Sequence, residues 1–70
     1  MIEYRLELLE RARLVRGLSY AEIGRGIGVD PRTVRRVENG ETANPNTVWE
    51  IARYLGVSME DLIKVRRKRG

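Results

Sequence analysis

Residues 19–40, SYAEIGRGIGVDPRTVRRVENG, read as two short helices joined by a tight turn. Ser19-Tyr20-Ala21-Glu22 matches the S-x-x-E capping box, in which the hydroxyl and the carboxylate each satisfy a backbone N–H that a first helical turn leaves unpaired. A helix therefore starts at Tyr20, with Ile23 and Ile27 four residues apart on its inward face. Gly28 makes the turn. Asp30 caps the next helix, and Pro31 takes its first position, where a missing N–H costs nothing. Val34 and Val37 are the inward pair of that helix. Arg32, Thr33, Arg35 and Arg36 point elsewhere, and Asn39-Gly40 ends it. Gly24 and Gly26 each weaken the earlier helix by about 1 kcal/mol relative to Ala. Gly24 makes sense if another backbone must come very close. Gly26 has no such reason in the sequence.

Outward from this stretch, Ile2 to Arg16 reads as a first helix, with Leu6, Leu9, Ala12 or Arg13, and Arg16 on one stripe. Gly17 stops it and Leu18 packs inward. Glu41 to Asn44 is a polar loop. Asn44-Pro45 opens a fourth helix by the device used at Asp30-Pro31, with Val48, Ile51, Ala52 and Leu55 inward. Gly56 stops that helix, and Ser58-Met59-Glu60-Asp61 is a capping signal for a short fifth. Leu62 and Ile63 close the core. The expectation is an all-α fold of five helices without a sheet, one domain over 1–63, and a basic tail over 64–70.

A chain of 70 residues has room for one domain with a marginal core. It has no Cys and no His, which excludes disulfides and zinc sites of the usual kind. No metal and no cofactor are expected. No apolar run approaches the roughly 18 residues that span a bilayer, and no signal-peptide pattern opens the chain, so a cytoplasmic protein is expected. The net charge is +4, and it is unevenly placed. Residues 64–70 carry +5, residues 11–36 carry +5, and residues 41–63 carry −3. Charge segregated in this way suits a polyanion partner better than a mixed solvated surface does.

Two helices joined by Gly-x-x form a helix-turn-helix when five inward positions are apolar. Ile23, Ile27, Val29, Val34 and Val37 supply all five, and Gly28 supplies the turn. The outer face of the second helix is then free to enter a DNA major groove about 12 Å wide. A plain helical bundle shares only parts of this pattern. The sequence resembles the lambda-repressor and Cro type of helix-turn-helix domain, the Xre-like family of bacteria and phage. The matching residues are Arg13, Leu18-Ser19, Glu22-Ile23, Ile27-Gly28-Val29, Thr33-Val34, Val37-Glu38-Asn39-Gly40, Pro45, Ile51-Ala52, Leu55-Gly56-Val57 and Leu62.

The resemblance implies a compact five-helix domain that binds double-stranded operator DNA, usually as a two-fold dimer on a palindrome. Carried over by position, Pro31, Arg32 and Arg36 fall where base edges are commonly read, with Thr33 nearby. Arginine pairs with guanine O6 and N7, so Arg32 and Arg36 imply guanines in the half-site. Pro31 has no donor and can offer only contact to a thymine methyl. Tyr20 stands where the family often has glutamine, and its hydroxyl is either a phosphate contact or part of a half-buried surface ring. Asn39, Thr42 and Asn44 resemble the loop that contacts the DNA backbone. Ser19 and Arg35 are further phosphate candidates, Arg35 being alternatively plain solvent-facing charge. The family pairs the positions of Arg13 and Glu38 as a structural ion pair.

Trp49, Tyr54 and Met59 fall outside the inward stripes and are candidates for a dimer interface, with Met59 and its neighbours favoured by family position. Trp49 packed sideways on the first helix is the other possibility. The tail KVRRKRG either follows phosphate or serves as a solubilising end. The functional expectation is a small DNA-binding transcriptional regulator without a small-molecule ligand. The alternative is a protein-interaction module on the same fold, an antitoxin or an adaptor for an RNA polymerase subunit. An enzyme is not expected, since Gly24-x-Gly26-x-Gly28 follows no strand and fails as a nucleotide loop.

Overall fold

The computed structural model describes residues 2–42 and 44–65. Along the chain run β1 (Ile2–Tyr4), α1 (Glu7–Val15), α2 (Tyr20–Ile27), α3 (Pro31–Glu38), α4 (Pro45–Leu55), α5 (Met59–Leu62) and β2 (Ile63–Val65). The five helices pack around Leu9, Ile23, Val34, Val37, Val48, Ile51, Ala52, Leu55 and Leu62, each at most 2% exposed. Every helix contributes to this cluster, so no pair of helices buries its apolar face alone.

The helix starts follow the capping chemistry. Ser19 Oγ accepts from Glu22 N at 3.1 Å while Ser19 N donates to a Glu22 carboxylate oxygen at 3.2 Å, the reciprocal box. Asp30 Oδ1 accepts from Arg32 N at 2.8 Å, Asn44 Oδ1 from Asn46 N at 3.0 Å, and Ser58 Oγ from Glu60 N at 3.2 Å.

Two expectations are corrected at the chain ends. The segment from Ile2 is not the start of a first helix; it is a strand, and α1 begins only at Glu7. A sheet therefore exists, two antiparallel strands in the register Ile2 to Val65, Glu3 to Lys64 and Tyr4 to Ile63. Arg5 N extends the pairing by donating to Leu62 O at 2.8 Å. The sequences Ile-Glu-Tyr and Ile-Lys-Val alternate with period two and suit a pleated pair. Lys64 and Val65, assigned from sequence to the basic tail, belong to β2. The remainder of the tail, residues 66–70, lies outside the described residues.

The α2–α3 turn explains Gly24. Gly28 takes φ +78°, a left-handed conformation that costs glycine nothing, and its N–H and that of Val29 both donate to Gly24 O, at 2.8 and 2.9 Å. The chain folds back so closely that a Cβ on Gly24 would sit 2.5 Å from Val29 O and 3.3 Å from Pro31 N. Gly26 also has a structural reason. The Tyr54 ring of α4 lies directly on it, where a Cβ would collide with the ring.

Candidate nucleic-acid interface

The phase of α3 is set by Val34 and Val37, both fully buried. With those two inward, Pro31, Arg32, Arg35 and Arg36 are exposed and Thr33 is half-buried. Arg32 and Arg36 are four residues apart, so they stand on one side of the helix about 6 Å apart along its axis. Arg35 is offset toward the flank. Arg32, Arg35 and Arg36 line one cleft, with Glu41 as the fourth wall. Among the described residues none of these three guanidinium groups is tied up in an ion pair. Cations left free in a small area attract a polyanion by releasing its condensed counterions.

Ser19 is exposed at the N-terminus of α2, its hydroxyl oxygen occupied by the cap while its O–H remains a donor. Asn39 and Asn44 are exposed and Thr42 is half-buried, on the segment that leaves α3 and enters α4. Asn39 Nδ2 reaches Glu41 Oε2 at 3.5 Å. The Asn44 side chain uses its oxygen on the α4 cap and keeps its NH2.

Arg13 and Glu38 form a two-pronged ion pair. Arg13 Nε donates to Glu38 Oε2 at 2.9 Å and Nη2 to Oε1 at 3.0 Å. Their side chains are 15% and 4% exposed. Arg13 Nη1 also donates to Leu18 O at 3.2 Å. The hydrogen bond to Glu38 is the largest influence raising the Arg13 pKa further above its ordinary value.

Tyr20 is half-buried, the second of its two expected readings. Its hydroxyl points into this pair, where it donates to Glu38 Oε1 at 3.2 Å and lies 3.5 Å from Arg13 Nη2. Its ring carries the Arg13 guanidinium 4.4 Å above the centroid, a cation–π contact. The O–H that a phosphate contact would need is thus engaged inside the protein. Desolvation, reinforced by the negative charge of Glu38, raises the Tyr20 pKa above the usual 10. The sequence spacing gave no sign of this third member, because the direction of a side chain at a helix start depends on what the other helices offer it.

On α4 Trp49 is 46% exposed and Tyr54 39%, the Tyr54 ring lying against Gly26 of α2. The Arg53 guanidinium lies 5.5 Å above the Trp49 ring. Trp49 is therefore not ordinary core. Met59 is half-buried and packs against the core cluster. The sequence reading missed two exposed apolar residues at the end of α1, Leu14 at 59% and Val15 at 79%. It also placed Arg16 on the inward stripe. Arg16 is exposed, one residue past the helix, and lies against Gly56. Among the described residues no three acidic side chains gather as a metal site, and no helix is long and apolar enough to cross a membrane.

No solved structure matches the chain. The helix-turn-helix family matches over residues 9–62, which takes in all five helices but the first two residues of α1. On that match, and on the α2–turn–α3 geometry that underlies it, the chain belongs to the Xre/lambda-repressor-like helix-turn-helix family of DNA-binding regulators.

Proposed function

We propose that this chain is a small transcriptional regulator of the Cro or repressor kind that binds a specific double-stranded site with α3 in the major groove. The observation that carries the reading is the pair Arg32 and Arg36, exposed, free of ion partners among the described residues and one turn apart on a helix locked by Val34 and Val37. Each can make the bidentate contact to guanine that is the commonest specific base contact. Thr33 and Pro31 add contact at the start of α3. Ser19, Arg35, Asn39, Thr42 and Asn44 hold the flanking phosphates, which fix register without reading sequence. Arg13, Glu38 and Tyr20 keep α1, α2 and α3 in fixed relation and do not touch DNA.

Two copies bind a palindrome, and Trp49, Tyr54 and Met59 supply the contact between them. The exposure of Trp49 and Tyr54 on α4 supports this part. The protein works in the cytoplasm, where the operator is. The basic end of the chain adds attraction to phosphate.

Selection of bound duplexes from a random pool tests the reading. The expected product is a pair of inverted half-sites containing guanine, centred about 10 base pairs apart. Enrichment of a single unpaired half-site overturns the dimer. Recovery of no sequence preference overturns base reading by α3.

A further inference from the structure

Glu41 stands out on the arginine face. It is exposed, and it lines the same cleft as Arg32, Arg35 and Arg36. Its place is fixed by the way α3 ends. Glu41 N donates to Arg36 O at 2.8 Å and Gly40 N to Val37 O at 3.0 Å, the two bonds of a Schellman motif. The backbone of Glu41 is thus pinned beside Arg36.

That is an unfavourable position for a carboxylate. The C-terminal end of a helix carries partial negative charge and favours cations. A carboxylate there also repels the phosphate that the arginines attract. Among the described residues the carboxylate makes no ion pair with the three arginines; its side-chain partner is Asn39 Nδ2 at 3.5 Å. It is therefore not arranged as a buttress that orients one guanidinium.

We propose that Glu41 is an electrostatic brake on the DNA face, lowering the attraction of that face for phosphate on every duplex. This rests on the reading of α3 as the DNA-binding helix. A strongly basic chain gains from such a brake. Random genomic DNA outnumbers any operator by orders of magnitude, and phosphate attraction alone determines how long the protein is held there.

The test is the E41Q variant, which keeps the shape and the Asn39 contact and removes the charge. Wild type and E41Q are titrated with a random-sequence duplex and with the selected site, from about 50 to about 200 mM salt. Circular dichroism verifies equal helix content. The expected result is that E41Q binds both duplexes about three- to tenfold tighter at the low-salt end, with the gain shrinking as salt rises. Unchanged affinity on both duplexes overturns the brake. A loss confined to the selected site also overturns it, because the carboxylate then accepts a hydrogen bond from a base or positions Arg36. Absence of salt-dependent duplex binding by the wild type is a separate result, and it removes the DNA-binding reading itself.

Discussion

Arg13 on α1 gives its guanidinium wholly to the protein, with two bonds to Glu38, one to Leu18 O and its face to the Tyr20 ring. Arg36 on α3 is exposed and has no ion partner among the described residues. Only one residue of the helix, Val37, separates Arg36 from Glu38, so the two regions are nearly in contact along the chain. What separates them is helix phase. Glu38 follows the buried Val37 and faces the interior, where an anion needs a cation and two donors. Arg36 precedes Val37 and faces out. The lesson is that a cluster of arginines is not one functional unit. The buried pair fixes the angle between α1 and α3, and the outward ones take effect only because that angle is fixed.

The sharpest way to break this contrast is to remove one charge from each side of it. Glu38→Ala leaves a largely buried guanidinium without its counter-charge, with Leu18 O and the Tyr20 hydroxyl oxygen as its remaining acceptors, and the Tyr20 O–H without its own. One-sided loss of a buried pair costs about 3–5 kcal/mol, a large part of the stability of a domain this small. Urea unfolding should show this as a large fall in midpoint at unchanged slope. Arg36→Ala, by contrast, should leave unfolding within about 0.5 kcal/mol of wild type.

On DNA the order reverses. Arg32→Ala or Arg36→Ala should cost about 1–3 kcal/mol on a selected site and relax base preference at one position. Competition titrations against random duplex decide it. An equal loss on both duplexes removes the base-reading role and leaves these residues as phosphate contacts.

Tyr20 lies on the boundary, and Tyr20→Phe shows to which side it belongs. Keeping the ring preserves the stacking on Arg13 and removes only the hydroxyl, a loss of about 0.5–1.5 kcal/mol in stability. DNA affinity per folded molecule should not change. If it falls while folding holds, the hydroxyl serves DNA after all. The pH dependence gives an independent check. The folded-state pKa of Tyr20 is raised, so its contribution is complete below the unfolded value near 10 and is lost as pH climbs through the folded value. Tyr20→Phe should remove that part of the alkaline loss of stability.

These residues also show where the sequence could be read and where it could not. The caps at Ser19, Asp30, Asn44 and Ser58 were legible because each is a bond within three residues. The outward arginines were legible because the Val34–Val37 spacing fixes the phase of α3. The sheet was not, since its strands are three residues long and pair Ile2 with Val65 across nearly the whole chain. Gly26 was unreadable for the same reason, its partner Tyr54 lying on another helix. Glu41 looked like part of a polar loop until the turn that ends α3 placed it beside Arg36.

Arg35 is the smallest and most delicate comparison, because it shares the cleft with Arg32 and Arg36 but sits on the flank of α3. A flanking cation meets phosphate and not base edges, so Arg35→Ala should weaken specific and random duplexes by the same factor. It should also reduce the magnitude of the salt slope by about one unit, as expected when one fewer phosphate is neutralised. Stability should stay within about 0.5 kcal/mol, as for an exposed surface residue. An unchanged slope assigns Arg35 to solvent. A loss confined to the selected site moves it into the base-reading set, and the boundary between the two kinds of outward arginine then has to be redrawn around the whole cleft.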